Sequence, residues 1–321
     1  MLPLAPTARE TVFEDGPSRL LCFEGAMQRE GEPVLLVPSL INRWYVLDLH
    51  PGASVVQALV GAGLRVFCLD WGRPNDEDRY LEWDDIVARL QRAIRRVLRL
   101  TGASRVGLLG YSMGATLSAI TTALAPERVA TLVNLAGPID FSHMGTLSTL
   151  TDPRWFDAEA VAAAGNVHPA VVRAGLVATR PTDQLGKWVE LVDAAAERPE
   201  ALEEFWALQA WVNDNVAFPA QAYLRWVRDL CQRNDLWEGR HRVRGRRVDL
   251  GAIACPVLTV VAERDLICPP EASLALSEAV ASARTEVLRI GGSHIGAVVG
   301  PRAARSLYPA LGEWFRSTLC N

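Results

Sequence analysis

Residues 105–124 read Arg-Val-Gly-Leu-Leu-Gly-Tyr-Ser-Met-Gly-Ala-Thr-Leu-Ser-Ala-Ile-Thr-Thr-Ala-Leu. Arg105–Leu109 is a short apolar run of strand length, and Ala115–Leu124 is helix-forming. Between them, Gly110-Tyr111-Ser112-Met113-Gly114 fits G-x-S-x-G, a tight strand-to-helix turn that lifts a serine hydroxyl above a sheet. The five-residue pattern recurs by chance, so its weight comes from the strand before it and the helix after it. The flanking glycines let strand and helix approach closely. The Met113 amide, at the helix N-terminus, is placed to donate to an oxyanion.

Working outward, the same rhythm repeats. Val34–Val37, Leu64–Leu69, Val129–Leu135, Val257–Val261 and Thr285–Ile290 are short strand-like runs. Helical stretches alternate with them at residues 53–62, 84–100, 271–280 and 303–316. Wholly apolar strands alternating with amphipathic helices predict a mostly parallel sheet covered on both faces. Residues 34–136 and 251–321 are expected to form this core, and residues 1–33 to be a leader with one weak strand at Ser18–Phe23. The alternation breaks over residues 137–250, which read as helical at 157–164, 169–178, 185–196, 201–212 and 219–231. Trp155, Trp188, Trp206, Trp211, Trp226 and Trp237 all lie there. The segment is expected to be a cap over the C-terminal edge of the sheet, its aromatic residues packing on the core or lining a channel.

Composition excludes several classes. The chain has 321 residues, half of them hydrophobic, too many for a disordered polymer. Lys plus Arg number 33 against 37 Asp plus Glu, so nucleic-acid binding is not expected. Cys22, Cys68, Cys231, Cys255, Cys268 and Cys320 are scattered without C-x-x-C spacing, which argues for reduced thiols and against zinc ribbons. With no signal-peptide pattern and no apolar stretch of about 18 residues, a cytoplasmic location is expected. No metal or redox cofactor is implied.

A serine hydroxyl needs a base to take its proton. On a turn of this kind the partners follow in the order Ser, acid, His. His294 lies in Gly291-Gly292-Ser293-His294-Ile295-Gly296, directly after the last strand, whereas His50 comes too early and His143, His168 and His241 fall in the insert. The acid belongs after Val257–Val261, where Asp265 is the candidate and Glu263 its competitor. The loop Pro38-Ser39-Leu40-Ile41-Asn42-Arg43 should supply a second oxyanion donor, an amide near Ser39 or Leu40. Ser39 and Tyr111 are also candidates for substrate contact.

From Val34 to the C-terminus the sequence resembles the poly(3-hydroxyalkanoate) synthases, especially the short catalytic subunit of the two-subunit type. The resemblance rests on Leu40–Leu49, Asp70-Trp71-Gly72, Gly110–Gly114, Pro138-Ile139-Asp140-Phe141, Asn234-Asp235-Leu236, Val248-Asp249-Leu250 and Gly292–Gly296. It implies an α/β-hydrolase fold with a helical cap, Asp265 and His294 as acid and base, an acyl-thioester substrate, and a second subunit or a homodimer. Coenzyme A or phosphopantetheine would enter only as the carrier of the acyl group. The departure is the nucleophile: the synthases use G-x-C-x-G, and this chain has Ser112. A serine acyl-enzyme is an oxygen ester, so part of the thioester's driving force is spent on acylation. One transfer to an alcohol is then expected, with hydrolysis, polymer growth and a non-catalytic binding role as alternatives. Arg240, Arg242, Arg244, Arg246 and Arg247 form a basic cluster. Within it, Arg244 and Arg246 are candidates for carrier phosphates, the alternative being a solvated hairpin around Gly245.

Overall fold

The computed structural model describes residues 2–179, 198 and 200–319. In chain order its first elements are β1 (Arg9–Asp15), β2 (Ser18–Phe23), β3 (Val34–Val37), β4 (Asp48–His50), β5 (Ala53–Ser54), α1 (Val55–Gly61), β6 (Val66–Asp70), α2 (Trp83–Thr101), β7 (Val106–Tyr111), α3 (Met113–Leu124) and β8 (Val129–Leu135). The short hairpin β9 (Arg242–Val243) and β10 (Arg246–Arg247) precedes β11 (Val257–Ala262) and β12 (Thr285–Ile290). Eight strands form one sheet in the order β1-β2-β6-β3-β7-β8-β11-β12. From β6 to β12 all neighbours are parallel, while β1/β2 and β2/β6 are antiparallel.

The period of two along each strand divides the core. Leu35 and Val37 of β3, Phe67 and Leu69 of β6, and Val106 and Leu108 of β7 face one apolar layer, which α2, α3 and the helix Pro270–Ala279 cover. Val34, Leu36, Val66, Cys68, Leu109 and Tyr111 face the other, under α1 and the C-terminal helix Tyr308–Leu319. Every residue of β3, β6, β7, β8 and β11 is buried, as continuous apolar strands require. Helix α2 buries Ile86, Leu90, Ala93, Ile94 and Val97 and ends at Gly102 in the left-handed conformation, a common helix stop. Of its outer arginines, Arg92 pairs with Asp15 of β1 at 2.6 Å and Arg95 is exposed.

Residues 1–33 differ from the expected leader. They contribute two strands, not one, and both extend the sheet through β6. The apolar run Leu20–Phe23 buries itself against the sheet edge, and β1 covers β2 in turn.

The segment 137–250 carries α4 (Thr146–Leu150), α5 (Ala158–Ala163), α6 (Pro169–Ala178), and the helices Glu200–Asn213 and Ala220–Arg225. From Trp226 to Gln232 the winding loosens to π-helical turns, where a continuous α-helix to Cys231 was expected. There Trp226 wedges between Trp83 and Phe141, with ring centroids 5.3 and 5.2 Å away. The helix expected at 185–196, with Trp188, lies outside the described residues. Among the described residues no helix is long and apolar enough to cross a membrane.

Candidate active site

Ser112 occupies φ +54°, ψ −126°, a conformation that side chains other than glycine rarely adopt. Its neighbours force it there. A Cβ on Gly110 would fall 2.3 Å from the Cα of Ala115, and one on Gly114 would fall 2.0 Å from the Val37 carbonyl oxygen. Only glycine allows β7 to turn this sharply into α3, and only glycine lets α3 press against the loop after β3. The turn leaves the amides of Met113 and Gly114 at the free start of a helix buried along its whole length.

Asp265 and His294 come from the loops that follow β11 and β12. The Ile267 and Cys268 amides each donate to Asp265 Oδ1 at 2.9 Å. Asp265 Oδ2 lies 2.6 Å from His294 Nδ1, and both residues are buried. The carboxylate therefore fixes the ring with Nδ1 protonated and Nε2 free to accept. Tyr111 stacks on that ring at 5.3 Å between centroids. Glu263, the competing acid, is exposed. Cys268 lines the site, but burial pushes its thiol well above the usual range, and that of Cys231 up to about 12. Neither offers a thiolate in place of the serine.

Two cavities of about 200 Å³ each meet at Ser112. The first holds Tyr111 and His294, and polar groups of Asn42, Arg173 and Asn215 border it. The second is almost wholly apolar, walled by Phe141, Met144, Leu147, Phe156, Val172, Leu176, Phe218, Tyr223 and Trp226, with Ser39, Met113 and Cys231 on its surface. Trp211 and Trp226 accordingly do both jobs considered for the tryptophans of this segment, packing on the core and lining a cavity. Trp211 donates to the Arg43 carbonyl at 2.8 Å and also lines the first cavity. Trp155 and Trp206 are exposed instead.

Arg244 and Arg246 do not join the site. Arg244 sits beside Asp84 and Asp85 at the start of α2. Arg246 donates to the carbonyl of Leu124, at the far end of α3 and about 18 Å along its axis from the serine. Arg240 pairs with Asp235 and Glu238. Nearby carboxylates and a carbonyl hold these three groups, and none of the three lines either cavity.

Sequence reasoning passed over the bonds between residues 211–215 and the core. Asp214 receives the Tyr45 hydroxyl at 2.8 Å and the guanidinium of Arg73, and Asn42 donates to Asn215 at 2.6 Å. The stretch Asn42–Tyr45 enters the sequence reading through the oxyanion loop and the family resemblance, not through these bonds. The burial of His241, set aside as a base because it falls in the insert, is a further feature the sequence does not show. His241 is 2 % exposed, neither ring nitrogen has a partner, and burial beside Arg225 lowers its pKa to about 4 against Asp229, Asp84 and Asp235. Because the folded value lies below the unfolded one, the unfolded chain binds the extra proton between pH 6.5 and about 4. Stability should therefore fall as the pH drops through that window, by up to about 3 kcal/mol from this group. Melting temperatures of wild type and His241→Gln between pH 7.5 and 4.5 check this. Parallel curves would remove His241 as the cause.

The class follows from the fold. The description "alpha/beta hydrolase fold" matches residues 32–301. The putative non-heme bromoperoxidase BpoC of Mycobacterium tuberculosis superposes with a TM-score of 0.59 at 17% identity, covering 90% of this chain and 94% of that one. Sequence relatives narrow the class to enzymes with acyl chemistry. "Poly-beta-hydroxybutyrate polymerase (PhaC) N-terminus" matches residues 3–59. The poly(3-hydroxyalkanoate) polymerase subunit PhaC of Haloferax mediterranei is 34% identical over 314 residues, 96% of this chain and 64% of that protein. Its counterpart in Allochromatium vinosum is 30% identical over 293 residues, 91% of this chain and 82% of that protein. The chain belongs to the poly(3-hydroxyalkanoate) polymerase (PhaC) family. It spans just under two thirds of the Haloferax relative's length.

Proposed function

We propose that this chain is an acyltransferase that takes an acyl group from a thioester and passes it to an alcohol. The donor would be an (R)-3-hydroxyacyl group on coenzyme A or on a carrier protein. The observation that carries the reading is the buried His294–Asp265 pair, 2.6 Å apart, whose His294 lines the same cavity as Ser112. Ser112 Oγ adds to the thioester carbonyl while His294 Nε2 takes its proton. The oxyanion accepts from the Met113 amide and from an amide of the 38–40 loop, Leu40 being the candidate. Collapse expels the thiolate, which leaves with the proton from His294, and an oxygen ester remains on Ser112. An alcohol then adds in the same way and Ser112 departs with its proton restored. Asp265 stabilises the imidazolium formed in each half.

The apolar chamber suits the acyl chain, and the more polar cavity suits the carrier arm and then the acceptor. Intact-mass analysis with 3-hydroxyacyl thioesters tests the reading. A mass increase on Ser112 followed by a discrete ester supports it. Free acid would make the protein a thioesterase, polymer would make it a polyester synthase, and no adduct would leave only a binding role. The relatives' name as subunits supports a second polypeptide as partner.

Chamber filling gives a sharper check. Gly175 of α6 lines the apolar chamber, and a Cβ added there meets no atom within 4 Å. Gly175→Leu should fold normally, since leucine is the better helix former by up to about 1 kcal/mol. It should lower kcat/KM for long acyl chains about 10-fold relative to the shortest ones. An unchanged chain-length profile would place the acyl group elsewhere.

A further inference from the structure

The loop after β3 lies directly on the first turn of α3. A Cβ on Gly114 would fall 2.0 Å from the Val37 carbonyl oxygen and 2.5 Å from that of Pro38. Trp71 fixes the loop by donating its indole N–H to the Pro38 carbonyl at 2.9 Å. The next residue is Ser39. It is 3 % exposed, it borders the apolar chamber together with Ser112 and Met113, and its hydroxyl has no hydrogen-bond partner. Leaving a buried hydroxyl unpaired carries a free-energy penalty, and such groups call for an explanation. In a chamber this apolar, the carbonyl oxygen of a bound acyl group is the acceptor that the chemistry itself brings.

We propose that the Ser39 hydroxyl is a third donor to the oxyanion, beside the backbone amides. This rests on the reading that Ser112 becomes acylated. The hydroxyl keeps its proton throughout. It can reorient about χ1 with no existing hydrogen bond to break. Being free of partners, it strengthens its contact as negative charge grows on that oxygen, which lowers the barrier and leaves ground-state binding almost unchanged.

The test follows labelling of the full chain by a fluorophosphonate, whose addition also places negative oxygen in this hole, together with thioester kinetics. Ser39→Ala should label about 10- to 100-fold more slowly and lose a similar factor in kcat, with KM within about twofold. Ser39→Thr, which keeps the hydroxyl, should recover most of the rate. The melting temperature of Ser39→Ala should equal or exceed the wild type's, because an unpaired buried group has been removed. Wild-type labelling and kcat in Ser39→Ala would overturn the donor role and leave the Ser112 mechanism standing. A fall in kcat that Ser39→Thr does not recover would also overturn it, in favour of a packing role. A wild-type protein that takes no label at all would overturn both.

Discussion

Replacing Ser112 by alanine should abolish the acyl-enzyme and lower kcat by at least about 10⁴-fold, the scale on which hydroxyl nucleophiles of such triads act. Intact mass after mixing with a thioester should show no adduct. The same position makes a second, opposite prediction about stability. Ser112 is held at φ +54°, ψ −126°, and strain of this kind costs about 1–3 kcal/mol. Ser112→Gly relieves it while adding about 0.5–1 kcal/mol of backbone entropy to the unfolded chain. The glycine variant should therefore be inactive and more stable, with a higher urea midpoint. An inactive variant with a lower midpoint would show that the elbow is not strained. Ser112→Cys should acylate, and its adduct should be a thioester. If the oxygen ester is what limits chain growth, that variant should release longer products than the wild type.

Asp265→Asn should cost about 10⁴-fold in kcat with little change in fold. The Ile267 and Cys268 amides donate to Oδ1, so the asparagine oxygen takes that place and its NH₂ group turns to His294. That donor now faces Nδ1. The ring must accept there and carry its proton on Nε2, the nitrogen that should receive the serine proton. Activity should therefore fall in kcat more than in KM, while the melting temperature moves by only a few degrees. Glu263→Gln should behave as wild type, since Glu263 is exposed. If the Glu263 variant were the crippled one, the assignment of the acid would reverse.

The elbow was legible because its constraints are local. An apolar strand, two glycines and a helix lie within twenty residues, and chain order together with the loops after the last two strands pointed to His294 and to Asp265 over Glu263. The N-terminal hairpin was half legible. Leu20–Phe23 is apolar enough to show, but β1 is an edge strand with every residue exposed or half-buried, so it carries no clear pattern. The arginine cluster left two readings open, a solvated hairpin and a phosphate site, for a different reason. Charge density along the chain says nothing about carboxylates that arrive from elsewhere, and Asp84 and Asp85 lie far from Arg244 in sequence. Spacing could not reveal the two cavities or the unpaired hydroxyl of Ser39 either. Both arise where loops after β3, β7 and β11 meet residues of the helical segment, which is a property of the packing.

The contacts that clamp the elbow are made by Gly110, Gly114, Ala115 and the Val37 and Pro38 carbonyls. These contacts belong to the backbone and to residues flanking position 112, not to its side chain. Oxygen and sulfur can therefore be exchanged there without rebuilding the turn, and a lineage could pass between thiol and alcohol chemistry through a single substitution. On such a scaffold the choice of reactive atom is free to drift, and what selection must keep is the shape that presents it.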